Sequence, residues 1–301
     1  DMKKENTLHL VLVCHTEMGL DSTWKDYDTI QPQIDGMVKR VLEKAGKAPK
    51  ITFCVTNEFL TDKLDECFRL IELGHEIGIH SHLPGSQRNL HSYKGHYTLK
   101  FDENGYLNQD KIAGALRRIA IELGIPKPVT HVSGMFSFQK RTIEILSQEG
   151  FLFDCSLIPN GKIVKHPALG DFEIADNRNS YSAKAYRPSL SNPWIEGNSK
   201  FLEIPVSGNL GCAYFEMENV SNLTDEFEEV KNRANICNGN EIYQNYWHHF
   251  EFSKRYNWVN GDLDAAEDFL MKCAGIENLV FSTVKDAGNK ILEQENLSSA
   301  R

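Results

Sequence analysis

Two periods of apolar residues take turns along this chain. Leu8-His9-Leu10-Val11-Leu12-Val13-Cys14 is a nearly continuous apolar run, the pattern of a strand covered on both faces in a mostly parallel sheet. Ile34, Met37, Val38, Val41 and Leu42 then recur at helical spacing, which predicts a helix over 31–45, closed by Gly46 and Pro49. A strand over 51–55 follows, and Leu64, Cys67, Phe68 and Ile71 mark a helix that stops at Gly74. Ile77 and Ile79 alternate with small or polar residues and predict a strand that ends before Leu83-Pro84-Gly85, a tripeptide that no strand interior carries. Further along, the pattern predicts strands over 129–132, 151–153, 201–206, 241–247 and 279–282. Helices are predicted over 112–123, 139–148, 225–236, 263–274 and 284–292. Strand and helix alternate about seven times, so the expected fold is α/β, a parallel sheet closed or nearly closed by outer crossover helices. We read the whole of 1–301 as one domain with a core over 7–284, loop insertions at 81–108 and 160–199, and a polar tail at 293–301.

Polar residues gather where these strands stop. His15 and Glu17 follow the first strand, His80 and His82 the third, Ser133 and Gly134 the fourth, and His248 and His249 the strand over 241–247. Residues i and i+2 of an extended chain share a face, so His80 and His82 can converge on one ion while Ser81 faces away. In parallel barrels the chemistry collects at the C-terminal ends of the strands. Each residue also has a structural alternative. Glu17 can cap a loop hydrogen bond, His15 can pack as a satisfied core histidine, and only one of His248 and His249 can point inward. Asp21, Trp24 and Trp247 can form the wall of a binding site or simply pack locally. A serine hydrolase built on Ser81 or Ser133 lacks a nucleophile-elbow sequence.

Composition narrows the partners. A net charge of -9 argues against nucleic acid or an anionic membrane surface, both of which need a basic footprint. No apolar run reaches the roughly 20 residues of a membrane span. The seven cysteines are odd in number and scattered, with no CxxC pair, which reads as reduced core thiols in a cytoplasmic protein. The first residues lack a signal-peptide cleavage pattern, which points the same way.

Ile51-Thr52-Phe53-Cys54-Val55-Thr56-Asn57, Gly74-His75-Glu76-Ile77-Gly78-Ile79-His80, Glu149-Gly150-Phe151 with Asp154-Cys155-Ser156-Leu157, and Leu202-Glu203-Ile204-Pro205-Val206 occur in that order. Together they resemble the polysaccharide deacetylase (NodB-homology, carbohydrate esterase family four) superfamily, in an atypical branch related to surface-polysaccharide biosynthesis proteins. The resemblance implies a distorted (β/α) barrel and a divalent metal, zinc first, used to remove acetyl groups from N-acetylated sugars. It implies Glu17, His80 and His82 as metal ligands. His15 stands where the family places an aspartate base, and His248 matches the general acid. Asp21, Trp24, Ser133, Gly134, Trp247 and His249 are the expected substrate-binding positions. The arginine that usually opens the third motif has no counterpart in His131-Val132-Ser133-Gly134. The expected function is a metal-dependent deacetylase of an N-acylated sugar or glycan; the alternative is an inactive relative that binds a glycan or a protein.

Overall fold

The central strand β1 (Thr7–Thr16) is buried along nearly its whole length, as its unbroken apolar run requires. It belongs to a computed structural model that describes residues 6–19, 22–81, 109–134, 142–157, 162–166, 170–172, 184–192, 194–210, 215–216, 223–253 and 262–299. After β1 come α1 (Lys25–Ala45), β2 (Ile51–Val55), α2 (Asn57–Asp62), α3 (Leu64–Glu72) and β3 (Glu76–Ser81). Next are α4 (Gln109–Glu122), β4 (Thr130–Ser133), α5 (Thr142–Gln148) and β5 (Phe153–Asp154). The strands β6 (Lys162–His166), β7 (Gly170–Phe172), β8 (Leu202–Glu203), β9 (Val206–Asn209) and β10 (Phe215–Glu216) follow. The chain ends with α6 (Leu223–Ile236), β11 (Asn240–His248), a 3-10 turn (His249–Phe252), α7 (Leu263–Ala274), β12 (Leu279–Ser282) and α8 (Val284–Ser299).

The main sheet runs β8-β5-β4-β3-β2-β1-β11-β9, and its pairings are parallel. One side of β1 meets β11; the other meets β12 over Leu8–Val11 and β2 over Leu12–Thr16. The two edge strands, β8 and β9, are separated in sequence only by Ile204 and Pro205, so the chain itself draws the sheet's edges together into a distorted (β/α) barrel. Pro205 also splits the single strand expected over 201–206, because proline cannot donate to a ladder. Part of the insertion at 160–199 has strands of its own: β6 and β7 join β10 in a small antiparallel sheet. Helix α1 starts at Lys25 and carries Pro32 inside it, earlier than the apolar spacing predicts. No helix among the described residues is long and apolar enough to cross a membrane.

Alternation sorts the sheet into two cores. Leu8, Leu10, Leu12, Phe53, Ile77 and Ile79 pack outward with apolar residues of α1, α3, α4, α6 and α7. Val11, Val13, Val132, Phe153, Leu202 and Ile242 pack on the inner face, where they meet Val284, Ala287 and Ile291 of α8. Thus the last helix fills the inside of the curled sheet. Its N-terminus is held at the starts of the strands: the Val284 N–H donates to Thr52 Oγ1 at 2.9 Å and the Lys285 N–H to Glu76 Oε2 at 2.9 Å. Burial pushes the Glu76 carboxyl upward, against hydrogen bonds from Thr130, Lys285 and Thr52 that favour its charged form. The helix continues through the stretch expected as a polar tail, as far as Ser299. Gln294 accepts the Asn240 N–H at 2.6 Å and Glu295 pairs with Arg187, so polar contacts hold this end as they hold the start.

His249 and His75 are packed in the interior. His249 lies among Tyr27, Phe53 and Trp247, and burial, then the neighbouring His248, pushes it down to about 3. His75 accepts the Ile51 N–H at 3.2 Å, and burial, then Lys50 and Arg69, pushes it down to about 4. Both fold as neutral rings, so the unfolded chain binds more protons below its ordinary histidine value of about 6.5. Their contribution to stability is full above pH 6.5 and is lost as pH falls toward 4 and 3. Replacing His75→Gln should flatten the fall of the urea midpoint between pH 6.5 and 4.5, removing about 1.4 kcal/mol per pH unit; an unchanged slope would contradict this origin. A Cβ on Gly288 would lie 2.4 Å from Cε1 of Phe153. Gly288→Ala should therefore destabilise the fold by about 1–3 kcal/mol in urea unfolding, although alanine is the better helix former; a gain in stability would show that α8 is loosely seated.

Candidate active site

The parallel register of β1 with β11 sets His15 opposite His248. Both follow the inner-face parity of Val11, Val13 and Ile242, at the C-terminal end of the sheet. On β2 and β3 the positions level with His15 are Cys54 and Gly78. A Cβ on Gly78 would stand 2.8 Å from the Cys54 sulfur and 3.1 Å from the Thr130 carbonyl oxygen, so glycine lets the strands close beneath His80. Burial pushes the Cys54 and Cys155 thiols well up, and these sulfurs pack as apolar groups under the site.

Above this floor the side chains converge. The His15 ring centroid is 4.4 Å from that of His80, 4.7 Å from that of His248 and 4.5 Å from that of Tyr246. Tyr246 meets His248 edge-on at 5.0 Å. Glu17, just past the end of β1, places Oε1 3.4 Å from Nδ1 of His248. All are buried. Nδ1 of His80 lies 3.1 Å from the Val132 carbonyl oxygen. A carbonyl only accepts, so Nδ1 carries the hydrogen and the neutral ring keeps its lone pair on Nε2. The His248 N–H donates to Oε2 of Glu251 at 2.9 Å, which holds the chain where it leaves β11 for the 3-10 turn.

Four of the expected residues, His15, Glu17, His80 and His248, are thus brought together. Trp247 and His249 are not. With His248 inward, alternation turns Trp247 outward, against Phe53 and Phe252. His249 begins the turn with Nε2 2.8 Å from Oε1 of Gln31, in the helix layer. Ser133 shares the outward face and donates its backbone N–H to Ser156 Oγ at 2.8 Å; Gly134 is buried just beyond it. Trp24 precedes α1, packs on Tyr27 and Phe59, and donates from Nε1 to Asp62 at 3.0 Å. Asp21, His82 and, beyond Ser81, the expected loop insertion at 81–108 lie outside the described residues. Tyr246 and Glu251 join these residues without a motif to mark them, although Tyr246 sits two residues before His248 and shares its face by period-two alternation.

Among the described residues, no group of three or more His, Cys, Asp and Glu side chains is placed to hold a metal ion. Glu17 and His80 offer one carboxylate oxygen and one imidazole nitrogen, a donor chemistry that suits zinc. Completing the expected set needs His82.

No protein-family model matches the sequence, and no curated protein does. Solved structures do share its fold. A protein from Mycobacterium smegmatis assigned as a polysaccharide deacetylase is 15% identical, with a TM-score of 0.55 over 98% of this chain and 93% of its own. One from Pseudomonas aeruginosa PAO1 with the same assignment is 14% identical, with a TM-score of 0.56 over 94% and 89%. The allantoinase Puue is 15% identical, with a TM-score of 0.55 over 94% and 89%. At these identities the likeness establishes the fold, and one fold can carry more than one activity.

Proposed function

We propose that this chain is a metal-dependent hydrolase that removes an acetyl or similar acyl group from an N-acylated amino sugar or related amide, in the making of a cell-surface polysaccharide. The observation that carries the reading is the convergence of His15, Glu17, His80 and His248 on the inner face at the C-terminal ends of the strands. The shared fold with proteins assigned as polysaccharide deacetylases supports it. The free, buried cysteines among the described residues fit a reducing, cytoplasmic setting.

In this reading Glu17, His80 and His82 hold a divalent ion, zinc first. Bound there, the ion would supply Lewis acidity toward an amide carbonyl and make a water more acidic. His80 contributes the Nε2 lone pair that its bond to Val132 leaves inward. Glu17 has two oxygens, so it can serve the ion with one while the other faces Nδ1 of His248. That carboxylate favours the imidazolium form of His248, which holds one hydrogen on Nδ1 toward Glu17 and can give the other, on Nε2, to the leaving amine. His15, between the other two rings, is placed to accept a proton from the attacking water. Tyr246 walls the site beside both rings and limits bulk water.

Val132 favours the competing reading of a silent, glycan- or protein-binding relative. It is fully buried on the inner face, in the motif where the family carries an arginine. Elemental analysis separates the two readings: about one zinc per chain, lost in His80→Ala and His82→Ala, is the expected result. Metal content indifferent to both changes would overturn the proposed ligand set. With metal retained, His248→Ala should slow acetate release from N-acetyl sugars by about 10²–10⁴-fold; turnover at the wild-type rate would remove His248 from the mechanism.

A further inference from the structure

On the opposite face of the same strands lies a buried chain of polar groups that the proposed reaction does not use. Ser81 Oγ is 2.8 Å from Nε2 of His131, whose Nδ1 is 2.6 Å from Oδ1 of Asp154. Asp154 also accepts from Ser156 Oγ at 2.9 Å and from the Ser156 N–H at 3.2 Å. Ser156 Oγ in turn accepts the Ser133 N–H at 2.8 Å. The three side chains at its centre, Ser81, His131 and Asp154, each show 0% exposure. The order serine, histidine, aspartate is that of a nucleophilic triad. Here, however, the hydroxyl points into the helix layer, beside Ile79 of the outer core, where no substrate reaches it.

We propose that Ser81, His131, Asp154 and Ser156 form a positioning relay that fixes the orientation and tautomer of His80 from behind the sheet. The argument is one of alternation. Ser81 is the next residue after His80, so anchoring its side chain to β4 anchors the backbone that carries the imidazole. His131 and Ser133 flank Val132, and both are tied to the Asp154–Ser156 segment. The Val132 carbonyl that receives Nδ1 of His80 is therefore held on both sides. Nδ1 of His131 faces a carboxylate and donates, and in the neutral ring this leaves Nε2 to accept the Ser81 hydroxyl hydrogen. Each bond sets the direction of the next. The relay thus keeps the Nε2 lone pair of His80 aimed into the pocket. The value of that lone pair as a metal ligand rests on the proposed function; the tautomer itself does not.

The test reads the tautomer in metal-free protein, by long-range 1H–15N correlation of the histidine rings in uniformly 15N-labelled wild type, Ser81→Ala and Asp154→Asn. Wild type should show His80 as a single Nδ1–H tautomer. In both variants the Nε2–H form should become detectable, at about a tenth of the population or more. Ser81→Ala removes one hydroxyl and keeps the backbone, so it remains informative if Asp154→Asn fails to fold. Zinc affinity should fall about 10–100-fold in the same variants. A lower melting temperature with an unchanged His80 tautomer in Ser81→Ala would overturn the relay and leave these bonds a purely structural role. Undiminished zinc binding by His80→Ala would instead overturn the ligand role of His80, whatever the tautomer result.

Discussion

The site depends on one register. His15 faces His248 because β1 and β11 pair in parallel, in unbroken register, from Thr7 against Asn240 upward. Side chains alternate with a period of two, so a slip of one residue would turn one imidazole into the helix layer. What prevents the slip is burial on both faces: Leu8, Leu10 and Leu12 belong to one core and Val11 and Val13 to the other. Neither set can exchange places with the other without opening both cores. His15 and His248 continue an inner-face stripe whose position is set well below them, by Val11, Val13 and Ile242.

The inner stripe would be incomplete without the last helix. A curled sheet needs its concave side filled, and α8 fills it with Val284, Ala287 and Ile291 while Thr52 and Glu76 bond its first N–H groups. Glu76 belongs to the Gly74–His80 stretch that resembles the family motif, so one short segment does two jobs. Its N-terminal half fixes the filling helix and its C-terminal half presents His80 above. Gly78, between them, keeps the adjoining strands close.

Strand ends were legible because they combine a local apolar pattern with an abrupt polar residue. His15, Glu17, His80 and His248 could be read this way, and the strand over 279–282 matches β12 residue for residue. Which face a neighbour takes was less legible. Trp247 and His249 look like site residues by proximity, yet alternation and the 3-10 turn send both to the helices. The long-range bonds were not legible at all. Ser81, His131 and Asp154 come from three strands, and nothing local in the sequence says that β3, β4 and β5 lie side by side. The extension of α8 to Ser299 was hidden for a related reason, since its last turns are anchored by Gln294 and Glu295 and show no apolar period.

The most direct measurement is anomalous diffraction at the zinc edge from crystals grown with stoichiometric zinc. The account predicts one strong peak on the inner face, about 2.0–2.2 Å from a Glu17 carboxylate oxygen and from Nε2 of His80. A pocket without a peak, or an ion bound away from Glu17 and His80, would contradict it.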